Sequence, residues 1–393
     1  MHGILTRLKT PVRVCAAVLA VSLATAGLAA VELRGDHPDT YVVKKGDTLW
    51  DIAGRFLKRP WLWPEIWQAN PQVKNPHLIY PGDVLSLAYL NRVGVQAGPR
   101  TGNAIGAIPL SEIEPFLKDL RVMDESYRTL PYVVGIEEDQ LRGVSGQVVY
   151  ARGLASSDVG RRFQILRPTY KFSRLDRTMC CDIHWRKDLD FQGNVIPDGK
   201  TFWTNAITPD KGHELLGYEM QKVGVATMTR GEVGGIEAST LRVDDPIKEI
   251  REGDRIVPVD AQPYDLYFMP HPPKQTTEYG RGRIVAVADM FSTGGPRDVI
   301  AISLGAQDGI DNGTVFSLWR VGANKVDRVA DRYHRGFRTE ESVSDGAKVR
   351  LPDEFAGHAM VFRTFDKMAY ALIMDSIKPA RVGYELKHPD AAY

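Results

Sequence analysis

One stretch, residues 41–87, constrains the fold of this chain more than any other. It opens with three β-forming residues, 41–43, which run into the turn residues Lys45, Gly46 and Asp47. Thr48 and Asp51 have the spacing of a capping box at a helix start. Apolar residues then recur at helical spacing, namely Leu49, Ile52, Ala53 and Phe56. The pattern predicts a strand followed by a short amphipathic helix.

A second helix and a second strand complete the stretch. Pro64 suits the first turn of a helix over residues 64–70, and the pair Asn70 and Pro71 ends it. A turn at residues 81–83 precedes a short strand over residues 84–87. The predicted order is therefore strand, helix, helix, strand.

This order and its residues resemble a LysM module. The resemblance rests on Tyr41, Val42, Val43, Gly46, Asp47, Thr48, Leu49, Ile52, Ala53, Phe56, Ile66, Asn70, Asn75, Pro76, Leu78, Ile79, Tyr80, Pro81, Gly82, Asp83 and Leu85. It implies binding to chitin-like sugars, which in bacteria means the N-acetylglucosamine units of peptidoglycan. Residues 58–64 depart from the shortest LysM form by adding a tryptophan-rich loop.

The same resemblance implies a shallow glycan groove between the turn at residues 46–49 and the loop at residues 76–80. The candidate glycan-binding residues are Gly46, Asp47, Thr48, Leu49, Trp50, Pro76, Leu78, Ile79 and Tyr80. Trp50 lies off the apolar stripe of its helix, and Trp61 and Trp63 lie in a predicted loop, so these three are candidates for sugar contact, with a place in the core as the alternative. Trp67 is expected in the core, because a domain this small needs large buried aromatic residues.

Residues 1–30 have the pattern of a secretory signal peptide, with three cations followed by an apolar run that ends in small residues. The run is shorter than the about 20 residues of a membrane span, although an uncleaved anchor is the alternative. Without these cations the formal net charge changes from +1 to −2, so no global positive field attracts nucleic acid. The expected location is the periplasm, associated with the cell wall and peripheral to the outer membrane.

The remaining chain predicts an α+β fold in which a small βααβ LysM module, residues 40–88, is joined to a mainly-β C-terminal region of small sheets or barrels. A flexible linker is expected at residues 89–110, which are rich in glycine and proline. A short helix is expected at residues 111–120, and strands follow from Tyr132 onward. The β-rich region, residues 111–393, is expected to divide into subdomains at about 111–260 and 280–390.

A glycine-containing turn followed by an alternating strand recurs within the β-rich region, at residues 159–165, 252–258 and 312–318. These segments are interpreted as strands that enter small twisted sheets or barrels, although chance recurrence explains them equally well. Cys180 and Cys181 lie in a polar segment, residues 169–212, and adjacent cysteines are too close for an unstrained disulfide. A free thiol or an intermolecular bridge is expected.

Three C-terminal segments are similar to the secretin-associated proteins of type IV pili, the TsaP family. These are residues 216–224, 249–255 and 360–374. The similarity implies a non-catalytic envelope scaffold whose LysM module holds peptidoglycan while the β-rich region associates with the outer-membrane secretin. A homo-oligomer around the secretin is a further expectation, and residues 169–212 depart from the family pattern.

Two alternative functions are a LysM-targeted wall hydrolase and a wall-binding protein of the flagellar base. His184 and Asp188 have a spacing found in some zinc endopeptidases of the cell wall, but the His-x-His partner is absent from the chain. Cys181 and His213 lack the motif that would place them as a Cys–His pair. No catalytic residue, metal or cofactor is therefore expected, and the histidines are interpreted as surface or loop residues.

Overall fold

The computed structural model of the protein describes residues 34–35, 38–74, 79–87, 110–137, 146–174, 188–189, 195–196, 205–206, 214–259, 269–276, 280–288, 293–327 and 348–391. These residues form a small N-terminal α/β module and two β-barrels. None of the helices within these ranges is both long and apolar enough to cross a membrane. The predicted linker, residues 89–110, lies outside the described residues except for its last position.

The N-terminal module pairs β1 (Thr40–Val42) with β2 (Val84–Ser86) in antiparallel register. Between them in sequence come α1 (Leu49–Phe56) and α2 (Trp63–Gln68). Thr48 Oγ1 accepts a hydrogen bond from the Asp51 amide at 3.1 Å, and Asp51 Oδ2 accepts one from the Thr48 amide at 3.3 Å. The predicted capping box and βααβ order are confirmed.

Ten strands follow the helix α3 (Leu110–Lys118) in the described residues up to position 259. They are β3 (Leu120–Met123), β4 (Tyr132–Ile136), β5 (Val148–Arg152), β6 (Arg162–Ser173), β7 (Asp188–Leu189), β8 (Val195–Ile196), β9 (Asn205–Ala206), β10 (Leu215–Arg230), β11 (Ser239–Pro246) and β12 (Arg255–Pro258). As predicted, strands dominate the described residues from Tyr132 onward.

Six of these strands close into the first barrel. The hydrogen-bonded ring runs β4-β5-β11-β10-β6-β12 and returns to β4, and every neighbouring pair is antiparallel. β3 adds to the ring on β10, and β7 pairs only with β8 among the described strands. The interior is filled by alternating apolar side chains, which include Val149, Phe163, Ile165, Met228 and Leu241.

Eight strands make up the described C-terminal part of the chain. They are β13 (Ile284–Ala288), β14 (Val299–Ile302), β15 (Val315–Arg320), β16 (Asn324–Val326), β17 (Lys348–Arg350), β18 (Glu354–Thr364), β19 (Ala369–Ser376) and β20 (Glu385–Lys387). The ring runs β13-β14-β19-β18-β15-β20. It closes where the Ile284 amide donates to the Tyr384 carbonyl at 2.9 Å, next to the bridge between Arg283 and Glu385.

The two barrels have the same topology. The strands β4, β5, β6, β10, β11 and β12 correspond in ring order to β13, β14, β15, β18, β19 and β20. The correspondence extends to single hydrogen bonds. In the first barrel the amides of Ile247 and Lys248 both donate to the Val223 carbonyl, and in the second barrel the amides of Ile377 and Lys378 both donate to the Ala356 carbonyl. The chain therefore contains a duplicated six-stranded barrel.

This duplication gives the recurrent glycine turns a structural basis. Two of them, at residues 159–165 and 312–318, precede the equivalent strands β6 and β15. Gly160, Gly253 and Gly313 have φ values of 88°, 85° and 97°, a backbone region that favours glycine. The turns recur because, in each barrel, the chain enters these strands through a glycine with a positive φ.

Candidate glycan-binding site

The first predicted turn is organised by a buried carboxylate. Asp47 Oδ2 accepts hydrogen bonds from the Lys44 amide at 2.8 Å and from the Tyr41 hydroxyl at 2.7 Å, while Asp47 Oδ1 accepts one from Arg55 at 3.0 Å. Gly46 allows the chain to reverse because its φ is 92°. Burial and then the hydrogen bond to Asp47 raise the pKa of Tyr41. Asp47 thus fixes the turn and is itself 5% exposed.

The second turn, residues 80–83, repeats this construction. Asp83 Oδ2 accepts from the Tyr80 amide at 3.0 Å, and Gly82 has a φ of 95°. The two turns are neighbours, because the Val43 amide donates to the Asp83 carbonyl at 2.8 Å and the Gly82 amide donates back to the Val43 carbonyl at 2.9 Å. The first and second turns are therefore adjacent, whereas residues 75–78 of the loop predicted to line the groove lie outside the described residues.

A buried amide side chain ties the second helix to the second strand. Asn70 Nδ2 donates to the carbonyls of Ile66 at 2.7 Å and Ser86 at 3.0 Å, and Asn70 Oδ1 accepts from the Ser86 amide at 2.7 Å. Asn70 is fully buried. These bonds hold β2, and hence the turn that precedes it, in place against α2.

The predicted glycan-binding residues differ in how accessible they are. Gly46 is exposed and Tyr80 is half-buried, whereas the side chains of Asp47, Thr48, Leu49, Trp50 and Ile79 are buried. Pro76 and Leu78 lie outside the described residues. The assignment of these positions to glycan contact stays a prediction, with Gly46 and Tyr80 as its accessible members.

The first turn offers backbone donors at its tip. The amides of Lys45 and Gly46 have no hydrogen-bond partner among the described residues, and both residues are exposed. A free amide is a suitable donor to the carbonyl oxygen of an N-acetyl group. The turn therefore presents two exposed donors next to the second turn, which is bonded to Val43.

The tryptophans lie differently from the sequence-based expectation. Trp61 lies in a short 3-10 helix (Pro60–Leu62) and Trp63 begins α2, so neither lies in an open loop, and both are buried. Trp67, expected in the core, is half-buried, and its Nε1 donates to the Val73 carbonyl at 2.6 Å. The error arose because the loop added between the helices folds back into helical turns that pack their rings inward.

Two of these tryptophans contact the second barrel. Trp50 Nε1 donates to Asp375 Oδ2 at 3.2 Å, and the ring of Trp61 lies 4.8 Å from that of His358. His358 Nδ1 lies 2.9 Å from Asp375 Oδ1, and Arg59 pairs with Asp390 at 3.3 Å. The module therefore packs on β18 and β19, a contact that sequence reasoning missed.

The same contact corrects one expectation about the histidines. They were interpreted as surface or loop residues, but His358 lies within β18 and is 9% exposed. It is covered by Trp61 on one side and by Phe355, with ring centroids 5.0 Å apart, on another. Its position in a strand that faces the module explains its burial.

Of the residues considered for catalysis, Asp188 lies within the described residues, in β7. Cys181, His184 and His213 lie outside the described residues, as does Cys180. Within the part of the chain that the structure describes, no group of three or more histidine, cysteine, aspartate or glutamate side chains is placed to hold a metal ion.

Comparison with known proteins supports the N-terminal module. Residues 41–88 match the family described as LysM domain. The chain is also similar to the "Uncharacterized protein YqbP" of Bacillus subtilis (strain 168), with 42% identity over 60 residues, which is 13% of this chain and 27% of the relative. The chain thus spans about a quarter of the length of that relative. Residues 41–88 form a LysM domain, a glycan-binding module, on a body of two β-barrels.

Proposed function

We propose that this protein binds peptidoglycan through the turn at residues 44–47 of its LysM domain. The observation that carries the proposal is the exposed tip of this turn, where the amides of Lys45 and Gly46 are free among the described residues. The tip follows Val43, which is bonded to the second turn, the turn that contains Tyr80, within a domain whose family binds N-acetylglucosamine-containing glycans. Amide donors together with an aromatic side chain suit an N-acetylated sugar.

A matched pair of glycine substitutions tests the proposal. At Gly46 a Cβ atom meets nothing within 4 Å and φ is +92°, and at Gly146, which precedes β5 in the first barrel, a Cβ atom also meets nothing within 4 Å and φ is +83°. Asparagine tolerates this backbone region better than most residues, so Gly46→Asn and Gly146→Asn carry a similar backbone cost. Only Gly46→Asn places a side chain over the turn tip.

The assay is co-sedimentation of the full chain with purified peptidoglycan. We expect the wild-type chain and Gly146→Asn to sediment equally, and Gly46→Asn to need about tenfold more peptidoglycan for the same bound fraction, which corresponds to about 1.4 kcal/mol. Equal binding by the two variants would move the site away from this turn. Failure of the wild-type chain to sediment would contradict wall binding itself.

We further propose that the two-barrel body anchors the outer-membrane secretin of type IV pili to the wall, in the periplasm, with several copies around the secretin. The sequence similarity of residues 216–224, 249–255 and 360–374 to the TsaP family supports this assignment. The packing of the LysM domain on β18 and β19 is consistent with a scaffold, because it fixes the wall-binding turn relative to the body.

Crosslinked pull-down of the full chain from bacterial envelopes tests the anchoring proposal. Recovery of the secretin supports it. Recovery of flagellar basal bodies instead would assign the body to the flagellar base, and release of soluble wall fragments by the purified protein would assign it to a hydrolase. Either result would leave peptidoglycan binding by the LysM domain in place.

A further inference from the structure

The two barrels contact each other through unlike ends. β6 and β10 extend beyond the first barrel as a ribbon, residues 168–173 and 215–221, which β3 joins along β10, and the second barrel rests on this ribbon. Lys367 Nζ, in the β18–β19 turn, lies 3.4 Å from Glu214 Oε1 at the ribbon's end. Tyr370, which follows that turn, donates to Glu219 Oε2 at 3.1 Å. We call the ribbon end of a barrel its tail and the opposite, turn-bearing end its head.

The head of the first barrel is exposed. Its two loops, residues 153–161 and 231–238, are equivalent by topology to those that the second barrel places on the ribbon. The loops contact each other, since Ser156 Oγ donates to the Glu232 carbonyl at 3.0 Å. They present Val159, Val233 and Ile236, which are 50%, 64% and 49% exposed.

The tail of the second barrel is exposed as well. β15 and β18 continue outward into the paired strands β16 and β17, as β6 and β10 continue into the ribbon. The Leu351 amide donates to the Ala323 carbonyl at 3.0 Å, which joins the extension to the barrel. Val349 and Leu351 are 50% and 38% exposed there.

Exposed apolar side chains are concentrated on these two surfaces. Ten large apolar side chains are exposed in the described residues, and five of them are Val159, Val233, Ile236, Val349 and Leu351. The corresponding contact inside the chain buries apolar residues completely or nearly so, as shown by Phe172, Leu216, Phe362 and Tyr370. Clustered exposed apolar residues mark interaction surfaces.

We propose that copies of this chain associate head to tail, with the head of the first barrel of one copy resting on the tail of the second barrel of the next. A second copy is the favoured occupant because the chain already joins one head to one tail internally, and the other head and tail carry exposed apolar side chains in the part of the chain that the structure describes. Such a contact is heterologous, because it joins two different surfaces. Repeated copies form a ring if the rotation between neighbours closes on itself and a filament if it does not. This inference deepens the proposed assembly around a secretin, but its test needs neither the secretin nor the wall.

Three variants of the full chain separate the surfaces. Ile236→Asp disables the head and leaves the tail intact, and Leu351→Asp does the reverse. Ile247→Asp is the control, because Ile247 is 45% exposed on the first barrel but lies on neither surface. Each change places a charge at an exposed position, so all three variants are expected to fold.

Sedimentation velocity over a wide range of protein concentration is the measurement. We expect the average mass of the wild-type chain and of Ile247→Asp to rise with concentration beyond a dimer. Ile236→Asp and Leu351→Asp should each stay monomeric alone. Their equimolar mixture should form a dimer that grows no further, because its one intact head meets its one intact tail.

Several results would overturn the proposal. A wild-type chain that stays monomeric at all concentrations excludes self-association. A mixture of Ile236→Asp and Leu351→Asp that stays monomeric excludes the head-to-tail geometry, as does an equal loss of association in Ile247→Asp. A monomeric wild-type chain whose capture of the secretin is lost in Ile236→Asp would assign the head to the secretin instead. In each case, intact co-sedimentation with peptidoglycan shows that wall binding stands.

Discussion

The packing of the LysM domain on the second barrel predicts the effect of Trp50→Phe. This change keeps an aromatic ring in the buried position but deletes the indole N–H that donates to Asp375 Oδ2 at 3.2 Å. A hydrogen bond to a charged group contributes about 1.5–3 kcal/mol when water is excluded. The Asp375 side chain is 38% exposed, so water replaces part of the bond, and we expect a loss of about 0.5–1 kcal/mol. The ratio of docked to undocked LysM domain should fall about two- to fivefold.

Amide hydrogen exchange measures this ratio at the contact itself. The His358 amide donates to Asp375 Oδ1 at 3.1 Å, and the ring of the same residue contacts Trp61. Its exchange should be about two- to fivefold faster in Trp50→Phe if it exchanges from the undocked state. Trp67→Phe is the matched control, because its deleted N–H donates to Val73 within the LysM domain.

Two results would refute the reasoning. The first is an unchanged exchange rate at His358 in Trp50→Phe, which would mean that the indole N–H does not hold the domains together. The second is an equal acceleration in Trp67→Phe, which would mean that exchange reports the stability of the LysM domain rather than its docking.

Three further substitutions test separate parts of the fold. Arg297→Gly should leave the melting temperature unchanged or raise it slightly. It removes the cost of a φ of 77° in a non-glycine residue, about 1–2 kcal/mol, but glycine raises the conformational entropy of the unfolded chain, which costs about 0.4–1 kcal/mol. A clear decrease in the melting temperature would contradict this. Asn70→Ala leaves the buried amide and carbonyl of Ser86 without their partner, at about 1–3 kcal/mol for each group, so peptidoglycan co-sedimentation should fall while the main thermal transition of the barrels is retained. Tyr370→Phe removes a donor to the buried Glu219 and should lower the free energy of unfolding in urea by about 1.5–3 kcal/mol, and a loss below about 0.5 kcal/mol would contradict the assigned bond.

Local patterns in the sequence were sufficient to predict the LysM domain and many of the strands. The capping box of Thr48 and Asp51 and the glycine turns each depend on residues within a few positions of one another, so sequence spacing captures them. The β18–β19 hairpin also depends on local pattern, because both strands are apolar and a short turn separates them.

Long-range contacts could not be predicted in the same way. Trp50 and Asp375 are 325 residues apart, and a flat aromatic ring on a helix suits a protein interface as well as a sugar face. The closure of each barrel likewise depends on pairs such as β12 with β4, which no local pattern specifies. The recurrent glycine turns were the one sequence signal of the duplication, and their equivalence needed the ring order of the strands.

The central claim is that the glycan meets the turn tip at Lys45 and Gly46 and not the buried tryptophans. Titration of the isotope-labelled full chain with a soluble N-acetylglucosamine oligomer, followed through backbone amide resonances, tests it directly. We predict the largest shifts at Lys45 and Gly46, with smaller ones at Tyr80, and none at the indole N–H of Trp50, which is engaged by Asp375. Shifts confined to the tryptophan indoles or to the barrels, with Lys45 and Gly46 unmoved, would contradict the claim.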